Sequence, residues 1–215
     1  MANRNQKTSF DASCRKCARL ARYLDEVREG YPDYYCKPVP SFGDGRVRLI
    51  VVGLAPGKHG ANATGRPFTG DHAGILLYKT LYKFGYADRA VSLHAKDGLT
   101  LVGCRITNAV KCLPPENKPT NREIIECNSY LKAELARCRN GSVVLALGQL
   151  AHRAVLRAYG LVQAHYPFGH NQAYQIGNSV SLLDSYHCSR YNTQTRRLTE
   201  TMFDEVFKKA GKLLS

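Results

Sequence analysis

The chain has 215 residues, 44% of them hydrophobic and 22% charged, with 31 Lys and Arg against 17 Asp and Glu. That length can build one sizeable core. No apolar run approaches the ~20 residues that span a bilayer, and the opening MANRNQKTSF lacks the apolar centre of a signal peptide. These features lead us to expect a single cytoplasmic domain over residues 1–215, a monomer away from membranes, with about the first ten residues flexible. A net charge of +14 favours polyanions through counterion release, with nucleic acid the first partner to consider. Eight cysteines in such a chain point to metal or to buried thiols rather than to a disulfide scaffold.

In chain order, the first feature is CRKC, with Cys14 and Cys17 two residues apart. The run VRLIVVGL (47–54) reads as a buried strand. It feeds a long loop, GLAPGKHGANATGRPFTGD (53–71), and then a helix marked by Ile75, Leu76, Tyr78, Leu81 and Tyr82. A second strand, CRITNAV (104–110), leads through KCLPPENKPT to a helix whose start is a capping box of Thr120 and Glu123. A third strand, SVVLALG (142–148), precedes the helical QLAHRAVLRAYG, with Gly160 as its stop. A fourth, SVSLLDS (179–185), precedes YHCSRYNTQTRR and an amphipathic C-terminal helix with Met202, Phe203, Val206 and Phe207 on its core face.

Strands alternating with helices imply parallel pairing through right-handed crossovers. The predicted fold is a three-layer α/β/α sandwich around a four-stranded parallel sheet. Ligands of such folds sit beyond the carboxyl ends of the strands, where three of these polar loops converge.

Cys14 and Cys17 form a weak metal signal alone. Cys112 and Cys127, with fourteen residues between them, supply a second half. Four thiolates suit zinc or an iron–sulfur cluster, and chemistry alone does not separate the two. Cys36, Cys104, Cys138 and Cys188 show no such spacing. The 53–71 loop lacks the Gly-Lys-Ser/Thr ending of a phosphate loop, and its glycines are not spaced as in a dinucleotide site. Ordering so long a polar loop costs entropy, which argues for a bound ligand.

Three segments in this order, GLAPGKHGANATGRPFTGD, TNAVKCLPPENKPT and SYHCSRYNTQTRRLT, resemble the uracil-DNA glycosylase superfamily, and within it family 5, the iron–sulfur type B enzymes. The resemblance runs from about residue 11 to 207. It implies hydrolysis of the N-glycosidic bond of uracil and related damaged bases in DNA, the first step of base-excision repair. It also implies a 4Fe–4S cluster on Cys14, Cys17, Cys112 and Cys127.

The base must be flipped out of the duplex into a pocket. The resemblance places Phe68 as its stacking platform, Asn108 as the amide that pairs with the base edge, and Gly53 and Ala55 beside the base. His187 matches the histidine that donates a hydrogen bond to the leaving base. Many family members read His-Pro-Ser there, and this chain reads His187-Cys188-Ser189. Where other branches carry a carboxylate or amide after the first strand, this chain has Leu54 and Ala55, so the attacking water must be held from elsewhere. Asn117, Asn62 and Asp71 are the candidates, with Asp71 equally suited to capping the following helix. Ser189, Arg190, Asn192, Thr193, Gln194 and Arg196, with Arg197, read as a DNA clamp, to which Lys58 and His59 add phosphate contacts. The competing reading is a non-catalytic nucleic-acid-binding protein with a four-cysteine zinc site. It explains charge and cysteines but not three polar loops at one sheet edge.

Overall fold

A computed structural model describes residues 10–43, 47–177 and 179–215. The opening residues expected to be flexible lie, apart from Phe10, outside the described residues. All four expected strands form: β1 (Leu49–Gly53), β2 (Cys104–Asn108), β3 (Val143–Leu147) and, fifth in chain order, β5 (Val180–Ser185). They are mutually parallel.

The expectation of four strands, all parallel, is corrected by β4 (Ala173–Ile176), which pairs antiparallel with β5 and makes a five-stranded mixed sheet of order β2-β1-β3-β5-β4. β4 covers only an edge. Its four residues, AYQI, bury only Ile176, so they carry none of the continuous apolar signature of a strand covered on both faces.

The helices are α1 (Ala18–Gly30), α2 (Ala61–Thr64), α3 (His72–Lys83), α4 (Asn121–Leu135), α5 (Gln149–Ala158), α6 (Arg190–Gln194) and α7 (Glu200–Leu214). Along β1 the side chains alternate. Leu49 and Val51 enter one core with Leu77 and Leu81 of α3 and Phe203 and Phe207 of α7. Ile50 and Val52 enter the other with Leu131 of α4 and Val155 of α5. The result is the three-layer arrangement. Among the described residues no helix is long and apolar enough to cross a membrane.

The capping box holds. Thr120 accepts from the Glu123 backbone N–H, and Glu123 reaches back to the Thr120 N–H. The same carboxylate takes a two-pronged contact from Arg19 of α1, at 2.8 and 2.7 Å. This fork–fork pair ties the start of α1, beside Cys17, to the start of α4, one turn before Cys127.

Candidate active site

The parallel strands bring Gly53 of β1 opposite Asn108 of β2 at the carboxyl edge of the sheet. His187 follows two residues after the end of β5. There the 53–71 loop, Asn117 and the start of α6 enclose a cavity of about 370 Å³. Its lining includes Ala55, Phe68, Asp71, Asn108, Asn117, His187, Ser189 and Arg190. Three separate sequence segments therefore meet at one concavity of ligand size.

Phe68 and His187 form the wall. Their ring centroids lie 5.9 Å apart, with planes inclined by 28°. Phe68 is buried and adopts a left-handed backbone with φ +55°, a conformation that costs ~1–2 kcal/mol for a residue with a Cβ. Glycine makes it feasible. A Cβ at Gly74 would stand 1.8 Å from the Phe68 carbonyl oxygen, so only glycine lets the first turn of α3 approach that carbonyl. At Gly53 a Cβ would meet Asn108 Oδ1 at 2.5 Å and Phe68 Cζ at 2.6 Å. Gly53 is thus the bare backbone against which the amide and the ring both rest.

Burial lowers the His187 pKa to about 4, so the imidazole is neutral at physiological pH. Asp71 caps α3, its Oδ1 accepting the Gly74 N–H at 2.9 Å. Among the described residues it is also the one carboxylate in the cavity lining. Burial raises its pKa, opposed by the N–H donors of Gly74 and Ala73. Asn117 sits at the end of a single 3₁₀ turn, Pro115–Asn117, with φ +57°, a region asparagine tolerates.

Asn62 is placed differently from the expectation. It is fully buried outside the cavity lining, and its amide donates to Cys36 Sγ at 3.4 Å and the Lys58 carbonyl at 3.5 Å. The polar loop after β5 is a short helix, α6, capped by Ser189, which accepts the Asn192 N–H. Asn192 turns inward and donates to the His187 carbonyl at 2.8 Å. Thr193 meets His72 Nε2 at 3.0 Å. Gln194 and Arg196 are exposed, as is Arg190 at the cavity mouth. Lys58 lies over the Tyr31 ring at 4.7 Å, and His59 pairs with the Tyr34 hydroxyl at 2.8 Å. His72 and Ala61 also line the cavity. Sequence spacing singled out neither, since each is an ordinary helix residue until the loop folds over it.

Cys14, Cys17, Cys112 and Cys127 are all free and line one narrow cavity between α1, α4 and the segment after β2. Burial raises the Cys17 pKa to about 11, and the charges of Cys127 and Cys14 add to the rise. Cys112 moves up for the same reasons, burial first and then Cys127, Cys14 and Cys17. The Cys17 and Cys112 thiols therefore feel their neighbours. Ionised together they would repel, and a cationic centre between them offsets that cost. Among the described residues no group of three or more His, Cys, Asp or Glu is drawn together as ligands of a single metal ion.

A family model described as the Uracil DNA glycosylase superfamily matches residues 40–211. The type-5 uracil-DNA glycosylase of Thermus thermophilus is 44% identical over 207 residues, covering 94% of each chain. That of Mycobacterium tuberculosis is 42% identical over 208 residues, covering 93% of this chain and 78% of its own. The type-4 uracil-DNA glycosylase of Archaeoglobus fulgidus is 29% identical over 206 residues. In fold, the crystal structure of wild-type Pedobacter heparinus SMUG2 superposes with a TM-score of 0.51 at 15% identity, covering 96% of this chain and 92% of that one. With the matched model spanning most of the chain and the type-5 relatives aligned along nearly all of it, the chain belongs to the uracil-DNA glycosylase superfamily, alongside its type-5 members.

Proposed function

We propose that the cavity holds a base flipped out of DNA and that the chain hydrolyses its N-glycosidic bond, removing uracil to begin base-excision repair. The observation that carries this is the near-parallel Phe68 and His187 pair walling a cavity that Asn108 also lines. A planar base stacks on Phe68, and the Asn108 amide offers it one donor and one acceptor. Cleavage leaves negative charge on the base. A neutral His187 has one N–H to donate to it, a preorganised donor of the kind worth ~10²–10³ in rate. Asp71 and Asn117 are the polar groups that hold the attacking water, Asp71 as base and Asn117 by orientation. Asn62 supports the loop from behind.

Among the described residues no lysine lines the cavity, in keeping with a hydrolase that leaves the abasic site uncut. Eight free thiols suit a reducing cytoplasm. Incubation with an oligonucleotide carrying one uracil, followed by alkali, should break the strand at uracil. Breakage without alkali would contradict the monofunctional reading. Intact bases with persistent binding would favour the non-catalytic alternative.

Arg190, Gln194, Arg196 and Arg197 are the exposed phosphate contacts in this reading. Arg190→Ala should weaken binding to all sequences alike and reduce its salt slope by about one unit.

Cys14, Cys17, Cys112 and Cys127 would hold a 4Fe–4S cluster. Four thiols around one cavity offer one thiolate to each iron, and the family resemblance favours this cluster over zinc. Such a group supplies no electron that glycoside hydrolysis requires. Its contribution is a cross-link joining the N-terminal segment, α4 and the 112–120 loop that carries Asn117. Protein purified without oxygen should be brown, and Cys112→Ser should abolish the colour while Cys138→Ser keeps it. A colourless protein with one zinc would overturn this.

A further inference from the structure

Between α3 and β2 the chain makes an excursion whose limbs are joined by the Ala87–Leu101 bridge and by the Asp88 N–H donating to the Thr100 carbonyl at 3.1 Å. Its tip folds back onto the loop that carries Phe68. Ser92 Oγ lies 2.7 Å from Thr69 Oγ1 and 2.9 Å from Arg66 Nη1.

Asp97 is the mount of this tip. Its carboxylate accepts from Arg66 at 2.7 Å, from the Leu93 N–H at 2.8 Å and from the Leu99 N–H at 2.9 Å. Arg66 also donates to the Ala95 carbonyl at 2.8 Å, and its guanidinium covers the Phe42 ring at 4.3 Å. Both ionic side chains are nearly buried, at 5% and 7% exposure.

On this rigid mount stand two apolar side chains held out in water, Val91 at 57% exposure and Leu93 at 68%. A buried ion pair is a poor device for stability alone, and a mere connector has no need to fix a leucine in solvent. Arg66 and Thr69 flank Phe68 in sequence, so the same bonds set the tip in a defined relation to the base cavity.

The partner is read from what surrounds the leucine. Arg89, His94 and Lys96 are exposed around it, and among the described residues Lys96 is in no ion pair. The two acids of the segment, Asp88 and Asp97, are already engaged by arginines. An exposed apolar tip with the exposed basic residues Arg89 and Lys96 close by in sequence, on a chain of net charge +14, fits a partner with an anionic rail and apolar faces between its rungs. Duplex DNA has that chemistry.

We propose that the 91–96 tip is a second DNA contact, Leu93 leaning on the base pairs that flank the extruded nucleotide and Lys96 on a backbone phosphate. This rests on reading the cavity as a base pocket, and it makes the tip an aid to duplex substrates specifically, where the flanking stack must be opened.

The test compares wild type, Leu93→Ala, Leu93→Met and Lys96→Ala on one uracil placed in a single strand, in a duplex, and in a duplex within a mismatched bubble. Leu93→Ala should slow single-turnover excision ~10-fold from the duplex, with little change on the single strand or bubble, because unstacking is the step it assists. Leu93→Met should restore most of the rate. Lys96→Ala should lower the salt slope of duplex binding by about one unit. Equal slowing on all three substrates, or none on the duplex, overturns the proposal. So does a wild-type dimer that Leu93→Ala converts to a monomer. If wild type excised no uracil, the base-pocket reading would fail by itself. Duplex affinity would still judge the tip, since Leu93→Ala must weaken it relative to single-strand affinity for the proposal to stand.

Discussion

Replacing His187 by alanine lowers the single-turnover rate of uracil excision by ~10²-fold or more, about 2.7 kcal/mol of transition-state stabilisation, and leaves affinity for uracil-free duplex unchanged. The ring stacks beside Phe68 at the wall of the cavity whose mouth carries Arg190, and the substitution leaves the exposed arginines of the 190–197 segment in place. Its loss removes a donor aimed at charge that develops only as the bond breaks. The pH profile gives an independent check. With its pKa near 4, His187 stays neutral between pH 5 and 8, so the rate shows no inflection near 6.5 from this ring. Asp71 moves the other way, its carboxyl raised by burial. The carboxylate is the form that polarises water, so the rate falls as pH drops through the Asp71 pKa. Asp71→Asn should remove that acid limb along with most of the rate. Asn117→Ala should lower the rate as His187→Ala does, with no change of pH profile. Rapid-quench excision between pH 4.5 and 8 on the three variants measures all of this. If Asn117→Ala is silent, Asp71 alone holds the water.

The second large effect belongs to a residue with no functional group. Gly53→Ala should reduce excision by ~10²-fold and lower stability by about 1–3 kcal/mol, the range for overpacking a tight site. The new methyl would press on Asn108 Oδ1 and on Phe68 Cζ and Cε2, at 2.5, 2.6 and 2.7 Å. Both side chains can swing away, but then the amide and the platform leave the positions that read the base. Gly74→Ala is harsher, because the atom in its way is the backbone oxygen of Phe68 at 1.8 Å and has nowhere to go. The control is Gly30→Ala, where a methyl meets nothing within 4 Å and φ is not positive. It should keep full activity and lose no stability. Thermal melts beside excision rates separate the three. A Gly53→Ala enzyme with wild-type rate would show that Asn108 and Phe68 need no fixed seat.

The four parallel strands, the helices α3, α4, α5 and α7 and the capping box were legible because they are local. Continuous runs of Val, Ile and Leu can be satisfied only inside a parallel sheet, and Thr120 and Glu123 announce a helix start within four residues. The motif residues Phe68, Asn108, Asn117 and His187 were singled out with the help of the family resemblance, and the convergence of strand ends on one edge of an α/β sheet gives the physical reason such segments can meet. Four cysteines at paired spacing likewise implied a common centre.

Tertiary contacts decided the rest. β4 exists because β5 offers it an edge, not because AYQI demands a strand. Asn62 and Asn117 are the same residue type in two polar loops. The packing of α2 against Cys36 buries the first, while a 3₁₀ turn presents the second to the cavity. Asn192 reads as a surface amide until α6 turns it onto the His187 carbonyl. Gly53 shows its purpose only when β1 and β2 lie side by side, for a missing side chain leaves no mark in sequence beyond the glycine itself. Local preference names the elements and the candidate chemistry, whereas the direction in which a polar side chain points is set by partners distant in sequence, through burial and hydrogen bonding that no local pattern encodes.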